Sequence, residues 1–402
     1  MCSQRMSEKN MSEEKLFSNL EVSFSSMSDR SLKKAHFIFS VINNNHLSVI
    51  LSSLVKFSLF IRLPIKGIIR HTVFEHFCGG ESIRDSELTI QKLATHGIGT
   101  ILDYSVEGED SEKGFDATMN EIIKIITYAK GADDVPFSVF KMSGMGPVEV
   151  MAKVSANIGL NSSELSAFNR MKDRVKAVCD LAYHSNVPIM IDSEETWIQP
   201  AIDDIVYEMM AAYNRDAAIV YNTYQMYRVD SLNLLQEAFL RAEEQGFFIG
   251  AKLVRGAYME QERERAGELN YTDPIHPDKT ATDNSFNEGL KFCVQRAERI
   301  SVMCGSHNEH SNQLLTTFIE QFSFDKKDNR FWFAQLYGMG DNISFNLAKM
   351  GYNVTKYVPY GPVQKVMPYL LRRAKENTSV SGQSSRELQL IKSEMKRRKL
   401  LT

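Results

Sequence analysis

Eight short runs of apolar and β-branched residues punctuate the chain, at 99–104, 137–142, 188–193, 218–224, 247–254, 301–304, 331–336 and 354–358. Longer stretches separate most of them, with apolar positions recurring at helical spacing: Ile122 to Ala129, Glu164 to Tyr183, Ser231 to Glu244 and Gln313 to Phe322. Strands that alternate with helices are joined by crossovers, so the sheet is parallel. Eight such units predict an α/β fold, a (β/α)8 barrel of the TIM type. The other parallel architecture, an open doubly wound sheet, announces itself with a Gly-rich nucleotide turn. Neither G-x-G-x-x-G nor G-x-x-x-x-G-K-[ST] occurs; Gly144-Met-Gly146 and Gly338-Met-Gly340 are only fragments of one. Residues 37–69 are apolar enough for a buried helix pair or a surface that touches a membrane. Their longest run, Leu47 to Ile61, is interrupted by Lys56 and falls short of the roughly 18–20 residues of a span. The pattern divides the chain into a mobile leader (1–30), a helical extension (31–75), the barrel (76–380) and a helical tail (381–402).

Barrels of this type place their chemistry on the loops after the strands. After the first run come Asp103 and Glu107; the second ends in Lys141, and the third in Asp192 with Glu194 and Glu195 behind it. The fourth ends in Gln225, the fifth in Lys252, Arg255 and Tyr258, the sixth in His307 and Asn308, and the seventh in Gln335. The eighth gives Tyr357, and Arg372 and Arg373 sit on the helix that follows. In the fifth turn, Arg255-Gly256-Ala257-Tyr258, the two smallest residues let a flat ligand approach the backbone. Lys141 and Asp192 end adjacent strands, and buried charges need partners, so they pair with each other as a rim ion pair or as a catalytic one. Adjacent arginines project about 100° apart on a helix. They are either a solvated face or a double fork for a carboxylate, and Tyr369 shares their face as a lid over a small ring. His307-Asn-Glu-His310 lacks the H-E-x-x-H pattern and a third metal ligand, so His307 reads as a cofactor donor or a rim histidine. The charge run Glu260 to Arg265 reads as a solvated first turn whose acids suit the helix dipole.

Composition narrows the classes. The 402 residues are 43% hydrophobic and 24% charged, enough for one large domain or two ordinary ones. A net charge of −3 does not favour nucleic acid. The five cysteines are scattered without a CxxC, which argues against a disulfide framework or zinc knuckle and fits a reducing compartment. The first residues lack the Arg-rich, acid-poor pattern of a transit peptide and the apolar core of a signal peptide. Lys396-Arg-Arg-Lys399 is a solvated tail or a weak contact for anionic lipid.

Several separate segments carry a family resemblance. They are Lys252 to Ala266, Phe140-Lys141-Met-Ser, Ile191-Asp-Ser-Glu-Glu-Thr-Trp-Ile-Gln-Pro200, Tyr221-Asn-Thr-Tyr-Gln-Met-Tyr227, Ser306-His-Asn-Glu-His-Ser311, Gln335-Leu-Tyr-Gly-Met-Gly-Asp341 and Tyr357 to Asn377. Across residues 70–395 the chain resembles the monofunctional, eukaryotic-type proline dehydrogenases. The resemblance implies a barrel holding FAD non-covalently, oxidation of L-proline to 1-pyrroline-5-carboxylate, and transfer of electrons to a quinone. It also implies a mitochondrial place with peripheral contact at the matrix side of the inner membrane, although the missing transit pattern leaves a cytoplasmic one open. By resemblance, Arg372, Arg373 and Lys141 hold the substrate carboxylate, Glu107 pairs with Arg372, and Asp192 sits beside Lys141 near the flavin. Leu253, Tyr258, Tyr357 and Tyr369 enclose the pyrrolidine ring. Lys252 matches a cation near the reactive flavin nitrogen, and Gln225, Arg255, Gly256, Ala257, His307, Asn308, Gln335 and Glu376 match FAD contacts. Relatives that prefer hydroxyproline tend to carry Ser where Tyr357 stands, so proline is the expected substrate. The competing readings are a hydroxyproline dehydrogenase, a silent proline-sensing barrel, and a flavin barrel acting on a larger substrate such as a folate.

Overall fold

A computed structural model describes residues 16–44, 66–106, 110–379 and 383–401, with side chains described for all of these except 66, 68, 372–379, 383 and 384. Eight parallel strands form a closed barrel in chain order: β1 (Ile98–Tyr104), β2 (Phe137–Lys141), β3 (Ile189–Asp192), β4 (Val220–Gln225), β5 (Ile249–Val254), β6 (Ile300–Gly305), β7 (Phe331–Leu336) and β8 (Val354–Tyr360). Each apolar run becomes a strand, as the pattern predicts. The fourth and fifth begin two residues later than their runs. Ile219 N donates to the Asn214 side chain, and Phe247 N closes the end of helix Ser231–Gln245 on Ala242 O. These apolar residues thus serve the turns below the strands.

The chain divides into two compact units, one of residues 99–104 and 108–334, the other of residues 1–98, 105–107 and 335–402. In the first, β4 is buried at every position and β5 at all but its last. Parallel strands covered on both faces require such continuous runs. Helix Ser162–Ser185 starts on a capping box between Asn161 and Glu164 and stops at Asn186 in the left-handed conformation, the local chemistry that limits a helix at both ends. Beneath the barrel, the buried Asn214 ties two strand starts together. Its Nδ2 donates to Val220 O (2.8 Å) and Phe248 O (2.9 Å), and its Oδ1 accepts from Ile219 N (3.0 Å) and Val220 N (2.8 Å).

In the second unit, helix Asp29–Ile42 buries Leu32, Ala35, Ile38, Phe39 and Ile42, the face that its helical spacing dictates. These pack in one cluster with Val363, Val366 and Leu370 of helix Val363–Ser379 and with Leu390, Ile391 and Met395 of helix Gln383–Arg397. Phe17 and Phe24, within the stretch read as a leader, are buried, and Asn346 Nδ2 donates to Ser23 Oγ at 3.1 Å. Of the apolar stretch 37–69, residues 45–65 lie outside the described residues. Among the described residues no helix is long and apolar enough to cross a membrane. Cys78, Cys179, Cys293 and Cys304 are buried free thiols. Burial pushes the Cys179 and Cys293 thiols up, and that of Cys304 to about 12.

Asn214→Ala removes the side-chain partner of three buried backbone groups and of the part-buried Phe248 O, and each buried group left unsatisfied costs about 1–3 kcal/mol. Urea unfolding monitored by circular dichroism should show a loss of at least about 3 kcal/mol. A change below about 1 kcal/mol would mean that the strand starts do not depend on this side chain.

Candidate active site

The parallel register sets Lys141 at the end of β2 beside Asp192 at the end of β3. Asp192 also reaches past β4, and Lys252 Nζ donates to its Oδ1 at 2.5 Å. The sequence reading paired Asp192 with Lys141 and did not foresee Lys252. Only 7% of the Lys252 side chain is exposed, so its ammonium needs a counter-charge within reach. Thr223, paired with Lys252 in the ladder, donates its hydroxyl to Ile191 O at 2.9 Å, which ties β4 to β3 directly below the ion pair.

Behind Asp192 lies an acid that the sequence reading noted without giving it a role. Glu194 is buried. Burial raises its carboxyl to about 7, against the opposing pull of the Ser143 hydrogen bond and the Lys141 charge. Its Oε1 accepts from Ser143 N (2.7 Å), its own N–H donates to Gln199 Oε1 (2.9 Å), and its carbonyl accepts from Gln225 Nε2 (2.7 Å). Gln225 in turn accepts a long bond from Ala257 N at 3.4 Å. The loops after β3, β4 and β5 are therefore stitched together by side chains bonding to backbone. A sequence signal did exist for Glu194, namely two acids directly after a strand end.

The β5 turn differs from its sequence reading in three places. Gly256 has φ +130°, and a Cβ there would lie 2.5 Å from the Tyr227 ring. The glycine therefore accommodates a protein aromatic as well as a conformation closed to side chains. The Leu253 side chain points away from that of Lys252. It is fully buried on the opposite face of the strand, where a Cβ on Gly289 would meet its Cδ1 at 3.3 Å. Successive strand residues face opposite ways, so Leu253 belongs to the layer under helix Lys279–Gln295 rather than to a substrate cage. The third difference is Glu262. The run Glu260 to Arg265 is not uniformly solvated, because Glu262 has 0% exposure and its carboxylate accepts from Thr196.

Arg255 is held by Asp283 Oδ1 (2.7 Å from Nε), Ser306 Oγ (2.6 Å) and Ser311 Oγ (3.0 Å), with its guanidinium 4.5 Å from the centre of the Phe286 ring. Those bonds use three of the five N–H donors of a guanidinium. Asn308 caps helix Glu309–Gln321 by accepting from Ser311 N at 3.0 Å, and half-buried His307 precedes it. Cations, amides and a helix N-terminus on successive strand ends form a donor set that fits an anionic, flat cofactor such as FAD. Among the described residues no group of three or more His, Cys, Asp or Glu could hold a metal ion.

In the other unit, Gln335 is buried at the end of β7, its Oε1 accepting from Ser344 Oγ at 2.7 Å. The loop after it is strapped by Lys356, which is fully buried and bonds to Asp341 Oδ1 (2.7 Å) and Met339 O (2.5 Å). Tyr357 and Tyr369 are both buried. Glu107 lies outside the described residues, as do the side chains of Arg372, Arg373 and Glu376.

The proline dehydrogenase family model matches residues 87–386. A carbapenem antibiotics biosynthesis protein, CarD, of Pectobacterium carotovorum is 38% identical over 80% of this chain and 83% of its own length. A mitochondrial proline dehydrogenase 1 of Dictyostelium discoideum is 34% identical over 92% of this chain and 73% of its own. The crystal structure of proline utilization A from Bdellovibrio bacteriovorus, inactivated by N-propargylglycine, superposes with a TM-score of 0.70 at 20% identity. That match covers 91% of this chain and 39% of the longer one, and it shows the barrel fold. With the family model spanning well over half its length and relatives this similar along most of theirs, the chain belongs to the proline dehydrogenase family.

Proposed function

We propose that this protein oxidises L-proline to 1-pyrroline-5-carboxylate with FAD as cofactor and a quinone as electron acceptor. The observation that carries the reading is the buried Lys252–Asp192 pair beside Lys141 at the strand ends, in a barrel of a family whose name specifies proline. Bound FAD supplies the two-electron acceptor that no side chain provides. The chain's own residues bind and orient. Lys141, Arg372 and Arg373 hold the carboxylate, with Glu107 closing on Arg372. Tyr258, Tyr357 and Tyr369 exclude water from the ring and leave C5 and the amine nitrogen facing the cofactor. C5 loses a hydride, the nitrogen loses a proton, and the C–N double bond forms. Gln225, Arg255, Gly256, Ala257, His307, Asn308, Gln335 and Glu376 would hold the cofactor. Lys252, its charge balanced by Asp192, would contribute a cation to the same cofactor site. Leu253 has no part in the cage. The mitochondrial name of the Dictyostelium relative supports a mitochondrial place; peripheral contact at the matrix face of the inner membrane is part of the proposal and follows from the family resemblance alone.

Anaerobic addition of L-proline to the FAD-loaded protein should bleach the flavin absorbance, and trans-4-hydroxyproline should do so far more slowly, because Tyr357 crowds the ring hydroxyl. Equal bleaching by both would overturn the substrate assignment; no bleaching by either would overturn the activity.

Asp192→Asn strands the Lys252 ammonium, and removing one partner of a buried pair costs about 3–5 kcal/mol. The kcat/KM for L-proline should fall at least about tenfold. A wild-type value in the folded, flavin-loaded variant would show the pair to be structural.

Glu194 yields a prediction of sign. Its carboxyl titrates near 7 in the fold against an ordinary 4.5. The folded protein thus keeps a proton that the unfolded chain releases across that window. Its stabilising share is complete below the unfolded value and is lost as pH rises through the folded one. The melting temperature of Glu194→Gln, relative to wild type, should therefore rise from about pH 5 to about pH 8. A difference independent of pH would refute the assignment.

A further inference from the structure

A carboxylate with no exposed surface has to be met by donors. Glu262 is such a group. Thr196 N donates to Oε1 at 2.7 Å and Thr196 Oγ1 donates to Oε2 at 2.6 Å, so each oxygen is satisfied by the same residue. One position on, the Trp197 ring lies under the Arg265 guanidinium at 4.5 Å. Both links run from the loop after β3 to helix Met259–Leu269, which grows out of the β5 turn. Closer to the barrel the same two loops are joined by Asp192–Lys252 and by Gln225, which bonds to Glu194 O and Ala257 N. Tyr258 is thus fixed from both sides. The N–H before it donates a long bond to Gln225 at 3.4 Å, and its carbonyl takes the first main-chain bond of the helix, from Glu262 N at 2.9 Å.

We infer that Glu262 is a positioning residue for substrate binding: through Thr196 it locks the loop that carries Asp192 to the turn that carries Tyr258, so that both present one fixed face to the substrate. The inference rests on the proline-oxidising reading above and names how that site is held. Glu262 does not touch the substrate. Loosening it disturbs the enclosure of the ring more than the bond-breaking step, so KM should respond and kcat should not.

The test is steady-state kinetics with L-proline on the FAD-loaded enzyme, with flavin content and spectrum recorded for each variant. Glu262→Gln keeps the volume but cannot accept from both Thr196 donors. It should raise KM by roughly fivefold to twentyfold with kcat within about twofold. Thr196→Val removes the hydroxyl bond alone and should shift KM the same way by less. The double variant should be no worse than Glu262→Gln, since both changes break one link, and Thr196→Ser should restore the wild-type KM. A wild-type KM in flavin-loaded Glu262→Gln overturns the inference, as does a double variant whose effects add. Should Glu262→Gln not fold, Thr196→Val decides: a wild-type KM there overturns the inference, and a raised one restored by Thr196→Ser supports it. If wild-type enzyme takes up flavin and proline leaves it oxidised, the functional reading falls and this inference falls with it. A wild type that bleaches normally beside unchanged variants overturns the inference alone.

Discussion

A lysine ammonium cannot be taken out of water without a charge to meet it, and at Lys252 that requirement organises the strand ends around it. The side chain is 7% exposed, so β3 has to end in an acid, and the acid has to stand where β4 can be bridged. Such a pair contributes little net stability, because desolvation offsets most of the attraction. What it does supply is direction. A cation pinned by one carboxylate occupies a single place, as a site for an oriented redox reaction requires.

The same logic spreads outward from the pair. Glu194 uses its carboxylate on one loop and its carbonyl on another. Gln225 spans the gap to the β5 turn, and Glu262 closes the outer edge on Thr196. Nearly every one of these bonds joins a side chain to backbone, so the loops are held by their main chain and the reacting side chains remain available. Loops carry function when a rigid scaffold positions them; here the loops after β3, β4 and β5 brace one another as well.

The strands were legible because parallel strands buried on both faces must read as unbroken apolar runs. The register of their starts was not, since Phe247 and Ile219 are as apolar as the strands they precede and differ only in what their N–H groups meet. At the site, the sequence showed which residues stand at strand ends, since order along the chain is order around the barrel. It could not show who pairs with whom. Asp192 and Lys252 are two strands apart, and register alone brings them together. Leu253 was misplaced because one step along a strand changes the face. Glu262 was misread because alternating charges carry no mark of the threonine that will face one of them. The carboxylate clamp at Arg372 and Arg373 stays with the family resemblance that suggested it.

The cysteines carry a consequence for an enzyme that moves electrons. Only a thiolate reacts readily with peroxides, disulfides and alkylating agents. Burial pushes the Cys304 thiol up to about 12, so it stays protonated and unreactive at neutral pH. Burial shifts Cys179 and Cys293 in the same direction. In these positions sulfur serves as a small apolar filler, and none of these three thiols is poised for exchange with oxidants in the surrounding solution.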